Sequence, residues 1–235
     1  MKTIRRPDFK EVVVSRQIHL DSRFIFNDKA IGPSNFYGLR KANYGKGFGM
    51  PTLSDLTVLL NACFLNRDFD SSKQVVQHAE HRLTGNTAIL YSPQEGMYVQ
   101  DNPTIRYSRI SMSKTSLRKK ISRELYGTLC SEDGHIRFVQ EGNTHQLGRI
   151  EPADLHKNHV ILALFGGSAR ARKLTEICEE NELTPYLEVD SINREAIVVP
   201  HLFYSSGLNK LVISIADSAE EWDRYSFGIK DSKTC

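Results

Sequence analysis

The sequence predicts an α/β protein of mixed α+β type: a C-terminal mixed sheet built around a strand-helix-strand (βαβ) unit, and an N-terminal region of helices and a β-hairpin. Three observations support this class. The 235 residues are 40% hydrophobic and 25% charged, as in globular proteins. The apolar run from Val160 to Phe165 precedes Gly166-Gly167, an amphipathic segment and the strand-like TPYLEVD. Helix-capping and hairpin patterns precede this unit. We place a domain boundary between residues 1–145 and 146–235, although both parts can form one compact domain.

The N-terminal stretch combines a strand pattern with a glycine-rich segment. Ile18 and Leu20 alternate with polar residues, which predicts β-structure. Glycines are frequent from residue 31 to residue 51, which predicts a loop. This loop carries aromatic and basic residues, namely Phe36, Tyr37, Arg40, Lys41, Tyr44, Lys46 and Phe48. They form either a stacking surface for a nucleic acid or anchors that hold the loop on the core, and anchoring is the commoner use of such residues.

Two helices are predicted after this loop. Thr52 and Asp55 have the spacing of a capping box, and an apolar stripe on one helical face follows them. The second helix begins after Asp70, which can cap it, and continues until Gly85 ends it. Both helices are therefore expected to pack on the core with one face.

A candidate metal site lies in the second of these helices. His78 and His81 are three residues apart, so their imidazoles can face the same way and share a metal ion. Glu80 lies between them, which differs from the H-E-x-x-H motif of zinc proteases. Histidines on the polar face of a helix are more often solvated than bound to a metal ion.

The steepest charge bias of the chain follows a β-hairpin that is predicted from Asn86 to Gln100. The segment from Thr104 to Arg123 contains no acidic residue. Its bases are Arg106, Arg109, Lys114, Arg118, Lys119, Lys120 and Arg123. The second half, SKTSLRKKISRELYG, predicts a helix because Leu117, Ile121 and Leu125 recur every fourth residue and can bury one stripe.

This basic segment leads to two hypotheses about partners. Closely spaced bases add their fields at a polyphosphate, which favours binding of a nucleic acid or another polyanion. Alternatively, the protein self-associates or binds a partner, with its basic helix against the acidic C-terminal surface. A solvated helix whose bases are neutralised elsewhere in the fold is the simplest use of such a segment.

The glycine turn after the predicted strand Val160 to Phe165 is a candidate phosphate site. Ser168 is placed to cap the following helix, and free amides and the helix dipole favour an anion there. The predicted phosphate-binding residues are Gly166, Gly167, Ser168 and Arg170. Neither G-x-G-x-x-G nor G-x-x-x-x-G-K-[ST] is present, so an ordinary strand-to-helix connection explains the glycines equally well.

A third hypothesis concerns catalysis. Alternation along TPYLEVD places Glu188 and Asp190 on one face of a strand, where two carboxylates can hold a divalent metal or exchange protons. They would then serve a metal-dependent phosphate-ester or nucleotide enzyme. A strand with one solvated face explains the same pattern. Beyond it we predict strands interrupted at Pro200 and a short helix that packs Trp222 against the sheet.

Cysteine usage and hydropathy restrict the remaining classes. The four cysteines are far apart and lack C-x-x-C spacing, which favours reduced thiols and a cytoplasmic location. No apolar run is long enough for a membrane span, and no apolar segment follows the N-terminal bases as in a secretory signal. The net charge of +3 specifies no partner, and the sequence identifies no cofactor.

Overall fold

The structure is a computed structural model that describes residues 9–12, 17–20, 24–125, 128–144, 148–189, 194–215 and 219–231. The helices are α1 (Phe36–Lys41), α2 (Leu53–Leu65), α3 (Asp70–His78), α4 (Lys114–Lys120), α5 (His159–Phe165) and α6 (Ser168–Glu180). Short 3₁₀ turns cover Glu141–Asn143, Pro152–Lys157 and Ser206–Leu208. The strands are β1 (Phe9–Val12), β2 (Gln17–Leu20), β3 (Phe24–Asn27), β4 (Ile31–Ser34), β5 (Arg82–Thr84), β6 (Thr87–Ser92), β7 (Gly96–Asp101), β8 (Thr104–Arg106), β9 (Arg109–Ser111), β10 (Ile121–Leu125), β11 (Thr128–Ser131), β12 (Ile136–Gln140), β13 (Gly148–Arg149), β14 (Thr184–Glu188), β15 (Ala196–Val198), β16 (His201–Ser205), β17 (Lys210–Ser214), β18 (Arg224–Ser226) and β19 (Ile229–Asp231).

The strands of the described ranges form two large sheets and two small ones, so the mixed α+β class is confirmed. The six-stranded sheet has the order β10-β11-β12-β7-β6-β15, and the seven-stranded sheet has the order β13-β14-β17-β16-β5-β18-β4. The smaller sheets are β1-β2-β3-β19 and β8-β9. Strands β14 and β17 are parallel, as are β5 and β18, whereas most other pairs are antiparallel. Both large sheets combine strands from residues 1–145 and 146–235.

Helices α2, α5 and α6 contact one another and supply the main apolar core together with side chains from both large sheets. The capping box at the start of α2 is confirmed: the Thr52 hydroxyl accepts a hydrogen bond from the Asp55 amide, and the Asp55 carboxylate accepts one from the Thr52 amide. The amphipathic segment predicted after Gly166-Gly167 forms α6, and its apolar residues Ala171, Leu174, Ile177 and Cys178 are buried.

The predicted first strand of the βαβ unit is wrong, because Val160 to Phe165 lies within helix α5. The Asn158 side chain caps this helix by accepting a hydrogen bond from the Ile161 amide, and Gly166 ends it with a φ of 74°. All six residues from 160 to 165 are buried, so the helix is apolar on every side. A short, continuously apolar run fits a buried helix as well as a buried strand.

The predicted basic helix is correct only in its first half. Helix α4 ends at Lys120, and Ile121 begins strand β10, which pairs with β11. Leu117 is buried, whereas Leu125 is exposed, so the predicted stripe does not form. Pairing with a neighbouring strand overrides the four-residue spacing of the apolar residues.

Several smaller predictions have mixed outcomes. The hairpin β6-β7 and the break at Pro200 are confirmed, and Pro200 lies where the chain passes from the six-stranded to the seven-stranded sheet. The glycine-rich stretch contains β4 and α1 rather than a continuous loop, and α3 ends at His78 before strand β5. Residues 219–223 form no helix, and Trp222 is 69% exposed instead of packed.

Within the described ranges, no helix is long and apolar enough to cross a membrane.

Candidate functional site

The basic surface consists of the hairpin β8-β9, helix α4 and the first half of β10. Arg106 and Arg109 are directly opposite each other in the hairpin register. Tyr107 and Ser108 connect them with φ values of 49° and 59°, and the Tyr107 side chain is fully exposed at the tip. The hairpin therefore presents an aromatic ring between two cationic side chains.

This hairpin departs from two local rules. Like charges directly opposite each other destabilise a strand pair. Two-residue hairpin loops with positive φ at both positions favour Asn-Gly or similar pairs, whereas a bulky residue with positive φ is strained. Such departures are expected mainly at functional sites, where binding rather than stability selects the side chains.

The rest of the basic surface is mostly free of counter-charges. Lys114 forms ion pairs with Glu95 at 3.1 Å and with Glu195 at 3.8 Å. Hydrogen bonds from Tyr98 and from Lys114 lower the pKa of Glu95, so this carboxylate stays charged. Within the described part of the chain, the other six bases form no ion pair, and all six are exposed: Arg106, Arg109, Arg118, Lys119, Lys120 and Arg123.

A groove of about 670 Å³ adjoins the basic surface where Arg118 meets the sheet. Glu95 and the aromatic rings of Tyr98 and Phe138 line the groove as well. These two rings lie with their centroids 4.5 Å apart. The groove beside α4 therefore combines the Arg118 guanidinium with aromatic surface.

Helix α1 holds the hairpin in place. The Ile110 amide donates a hydrogen bond to the Tyr37 hydroxyl at 3.4 Å, and the Arg40 guanidinium donates one to the Pro103 carbonyl. Phe36 and Ile110 are buried in one apolar cluster. These contacts support the anchoring interpretation of the aromatic and basic residues from 36 to 40, and Tyr44 is buried as well.

Glu188 borders a different groove, of about 630 Å³, on the seven-stranded sheet. Glu188, Ser214 and His201 are neighbours across strands β14, β17 and β16, and His81 and Asp223 also line the groove. Burial, and secondarily the charges of Arg224 and Arg82, lower the pKa of His201 to about 3, so its imidazole is neutral near pH 7. The sequence gives no signal for His201, because only the strand pairing brings it near Glu188.

The predicted metal and catalytic residues do not assemble into one site. The His78 ring lies near Tyr225 and Phe227, and its Nδ1 is 2.8 Å from the Gln74 carbonyl oxygen. Helix α3 ends at His78, so His81 lies outside it, and the His81 ring centroid is 5.1 Å from that of Tyr225. No group of three or more possible metal ligands occurs among the residues that the structure describes. Asp190, the second carboxylate of the catalytic hypothesis, lies outside those residues.

The glycine turn also differs from its prediction. Gly167 occupies the N-cap position of α6, so Ser168 is the first helical residue and does not cap it. The Arg170 guanidinium lies over the Phe24 ring and 4.0 Å from the Asp55 carboxylate. Gly166 and Gly167 line a small cavity with Arg137, which the sequence did not single out, and Glu188 lies at another cavity.

The fold and the site together define a mixed α+β protein with an exposed basic surface. No family model matches the chain, and no curated protein matches it. One similar solved structure is described as "Accommodation of massive sequence variation in Nanoarchaeota by the C-type lectin fold". It is 12% identical with a TM-score of 0.47, and the match covers 86% of this chain and 95% of that chain. A similarity of this degree supports no inference about function.

Proposed function

We propose that the protein binds a nucleic acid or another polyanion through the basic surface, with single-stranded nucleic acid as the preferred ligand. The observation that carries this proposal is the β8-β9 hairpin, in which Arg106 and Arg109 oppose each other beside the fully exposed Tyr107. An anion between the two guanidinium groups would turn their repulsion into a shared attraction.

The charges of α4 and β10 support the same ligand. Exposed bases without counter-charges release the condensed ions of a nucleic acid when they contact its phosphates, which makes binding favourable and sensitive to salt. Arg118, Lys119, Lys120 and Arg123 satisfy this requirement, whereas Lys114 is already engaged by Glu95 and Glu195.

Tyr107 favours single strands over duplexes. An exposed aromatic ring can stack on an unpaired base, and such stacking contributes about 1–3 kcal/mol per base. Base faces are not accessible in a continuous duplex. The hairpin is also held at its root by Tyr37 and Arg40, so the ring projects from a supported element.

Charge reversal tests the proposal. Lys119→Glu, Lys120→Glu and Arg123→Glu together should lower affinity for a fluorescein-labelled single-stranded oligonucleotide at least about tenfold at low salt, measured by anisotropy. The matched control reverses the same number of exposed charges on other elements, with Lys73→Glu, Arg149→Glu and Lys157→Glu. The two triple variants have the same net charge, so a difference between their affinities comes from the position of the charges and not from the total charge.

Two results would contradict the proposal. One is a wild-type protein that binds no oligonucleotide at low salt, and the other is an equal loss of affinity in the two triple variants. The hypothesis of assembly draws support from the edge strand β10, on which Leu125 is exposed. A dimer that dissociates as salt rises, without affinity for oligonucleotides, would favour assembly instead.

A further inference from the structure

The groove of about 670 Å³ beside α4 has an apolar floor on one face of the six-stranded sheet. Phe138 of β12 is directly opposite Tyr98 of β7 and Leu129 of β11 in the strand register, and all three side chains line the groove. Directly opposed residues of antiparallel strands share one face of the sheet. The floor is therefore a row of two aromatic rings and one aliphatic side chain.

The protein itself covers only one end of this floor. Leu117 of α4 is buried in one cluster with Tyr98, which is 2% exposed. Exposure increases from there towards the β10 edge, since Phe138 is half-buried and Leu129 is 40% exposed. The accessible apolar surface is therefore that of Phe138 and Leu129, and a ligand with a flat apolar face can bury it.

The Phe138 ring is held in place before any ligand binds. Its centroid lies 4.5 Å from that of the Tyr98 ring. The Tyr98 hydroxyl donates a hydrogen bond to the Glu95 carboxylate at 2.9 Å. Burial, and secondarily this hydrogen bond, raises the pKa of Tyr98 to about 12, so the hydroxyl keeps its proton near pH 7. A surface that is already ordered loses less conformational entropy when a ligand binds.

The charges around the groove are divided between two adjoining spaces. Arg118 lines the groove and also lines a smaller space of about 360 Å³, which it shares with Lys114 and Lys119. The described residues that line the smaller space include no carboxylate, whereas those of Glu95 and Glu141 line the groove. An anionic group is therefore favoured in the smaller space, and an uncharged group with hydrogen-bond donors is favoured in the groove.

We infer that the groove holds one nucleobase of a bound single strand, packed against Phe138 and Leu129, with a neighbouring phosphate in the smaller space beside Arg118. A nucleobase has a flat apolar face, and its amino group can donate to a carboxylate such as that of Glu141. The groove volume lies within the range of about 300–1,000 Å³ that is usual for small-molecule sites. This inference rests on the proposed function and adds a base-binding position to that of Tyr107.

Removal of the ring tests the inference. Phe138→Leu keeps an apolar side chain, and its affinity for a fluorescein-labelled single-stranded oligonucleotide should fall at least about fivefold at low salt, measured by anisotropy. Its affinity for a strand of the same length built from abasic residues should equal that of the wild type, because the phosphate contacts remain. The matched control is Phe203→Leu, which alters a half-buried ring on the seven-stranded sheet and should change neither affinity.

Leu129→Ala is a second variant that leaves the buried core intact, because Leu129 is exposed. It removes apolar surface from the floor, so affinity for the base-containing strand should fall about threefold while affinity for the abasic strand is unchanged. Strands that contain 5-iodouracil provide a direct measurement, because this base forms photo-crosslinks with aromatic side chains in contact with it. We expect a crosslinked peptide that contains Phe138.

Wild-type affinity of both groove variants for the base-containing strand would overturn the inference. If the charge-reversed triple variant still loses affinity in that case, the proposed function stands without the groove. Equal losses on the base-containing and abasic strands, or crosslinks confined to Tyr107, would also overturn the inference. A wild-type protein that binds neither strand would contradict the proposed function and the inference together.

Discussion

At the scale of single residues, three basic side chains in the described part of the chain are nearly or wholly buried. Arg224 donates hydrogen bonds to the Thr84 hydroxyl and to the Val199 carbonyl, and Arg137 is held by Asp101 and two carbonyl groups. His201 is 2% exposed and lies beside the ring of Phe203. A buried arginine remains charged and must find acceptors, whereas a buried histidine can avoid the desolvation penalty by staying neutral.

His201 predicts a dependence of stability on pH. Its folded pKa of about 3 lies below the unfolded value of about 6.5, so the unfolded state binds the proton first. The contribution is therefore fully present above pH 6.5 and is lost as pH falls from 6.5 towards 3. Between pH 7.5 and pH 5 the free energy of unfolding should fall by about 2 kcal/mol more in the wild type than in His201→Gln. Urea unfolding at both pH values measures this difference.

The same decrease in the wild type and in His201→Gln would contradict the assignment. The comparison is informative because the other histidines and the carboxylates are common to both proteins. A stable variant is expected, since glutamine can keep a polar side-chain group near Ser214 and Thr84, the cross-strand neighbours of His201.

At the scale of elements, the β8-β9 hairpin combines high exposure with poor local stability. Its inner residues Ile105 and Ile110 pack on the apolar cluster that contains Phe36, while the outer residues at the tip are charged or aromatic. Packing of Ile105 and Ile110 therefore stabilises the hairpin, whereas the positive φ values at Tyr107 and Ser108 destabilise it.

Replacing the tip should separate stability from binding. Tyr107→Asn with Ser108→Gly supplies residues that favour positive φ, so the free energy of unfolding should rise by about 1 kcal/mol. Affinity for a single-stranded oligonucleotide should fall about tenfold because the stacking ring is lost. Tyr107→Phe keeps the ring and is the matched control, with an expected change in affinity of less than about twofold. Unchanged affinity in the Asn-Gly variant would show that Tyr107 does not contact the ligand.

Helices and strands are predictable from the sequence where a cap or a turn requires a particular residue type. The capping box at Thr52 and the hairpin around Pro93 are predictable from the sequence, because caps and turns require particular residue types at particular positions. Helix α5 was predicted as a strand, since periodicity does not distinguish short buried elements. Asn158 before the run and Gly166 after it are a helical N-cap and C-cap pair, which was the available signal.

The charge of the candidate basic surface is predictable from the sequence, but its geometry is not. The acid-free segment identified the bases from Arg106 to Arg123, whereas the opposed arginines and the positive φ at Tyr107 depend on a register that the sequence does not state. The buried position of Arg137 is not predictable from the sequence, because its partners Asp101 and Ala163 come from other elements. Contacts between distant segments are set by the whole fold rather than by local pattern.

At the scale of the whole molecule, the candidate sites are divided between the two large sheets. The basic surface adjoins the β10 edge of the six-stranded sheet, and the groove of Glu188 lies on the seven-stranded sheet. Pro200 marks the crossing between these sheets, where β15 ends and β16 begins. Each surface therefore rests on a sheet anchored in the shared apolar core, and each can be altered without removing the other.

The salt dependence of oligonucleotide binding tests the central claim most directly. If the six exposed bases without ion pairs contact phosphates, the slope of log K against log salt concentration for a single strand should be about −4. Lys119→Ala, Lys120→Ala and Arg123→Ala together should reduce its magnitude by about 2. A slope near zero, or the same slope in the wild type and the triple alanine variant, would contradict binding through the basic surface.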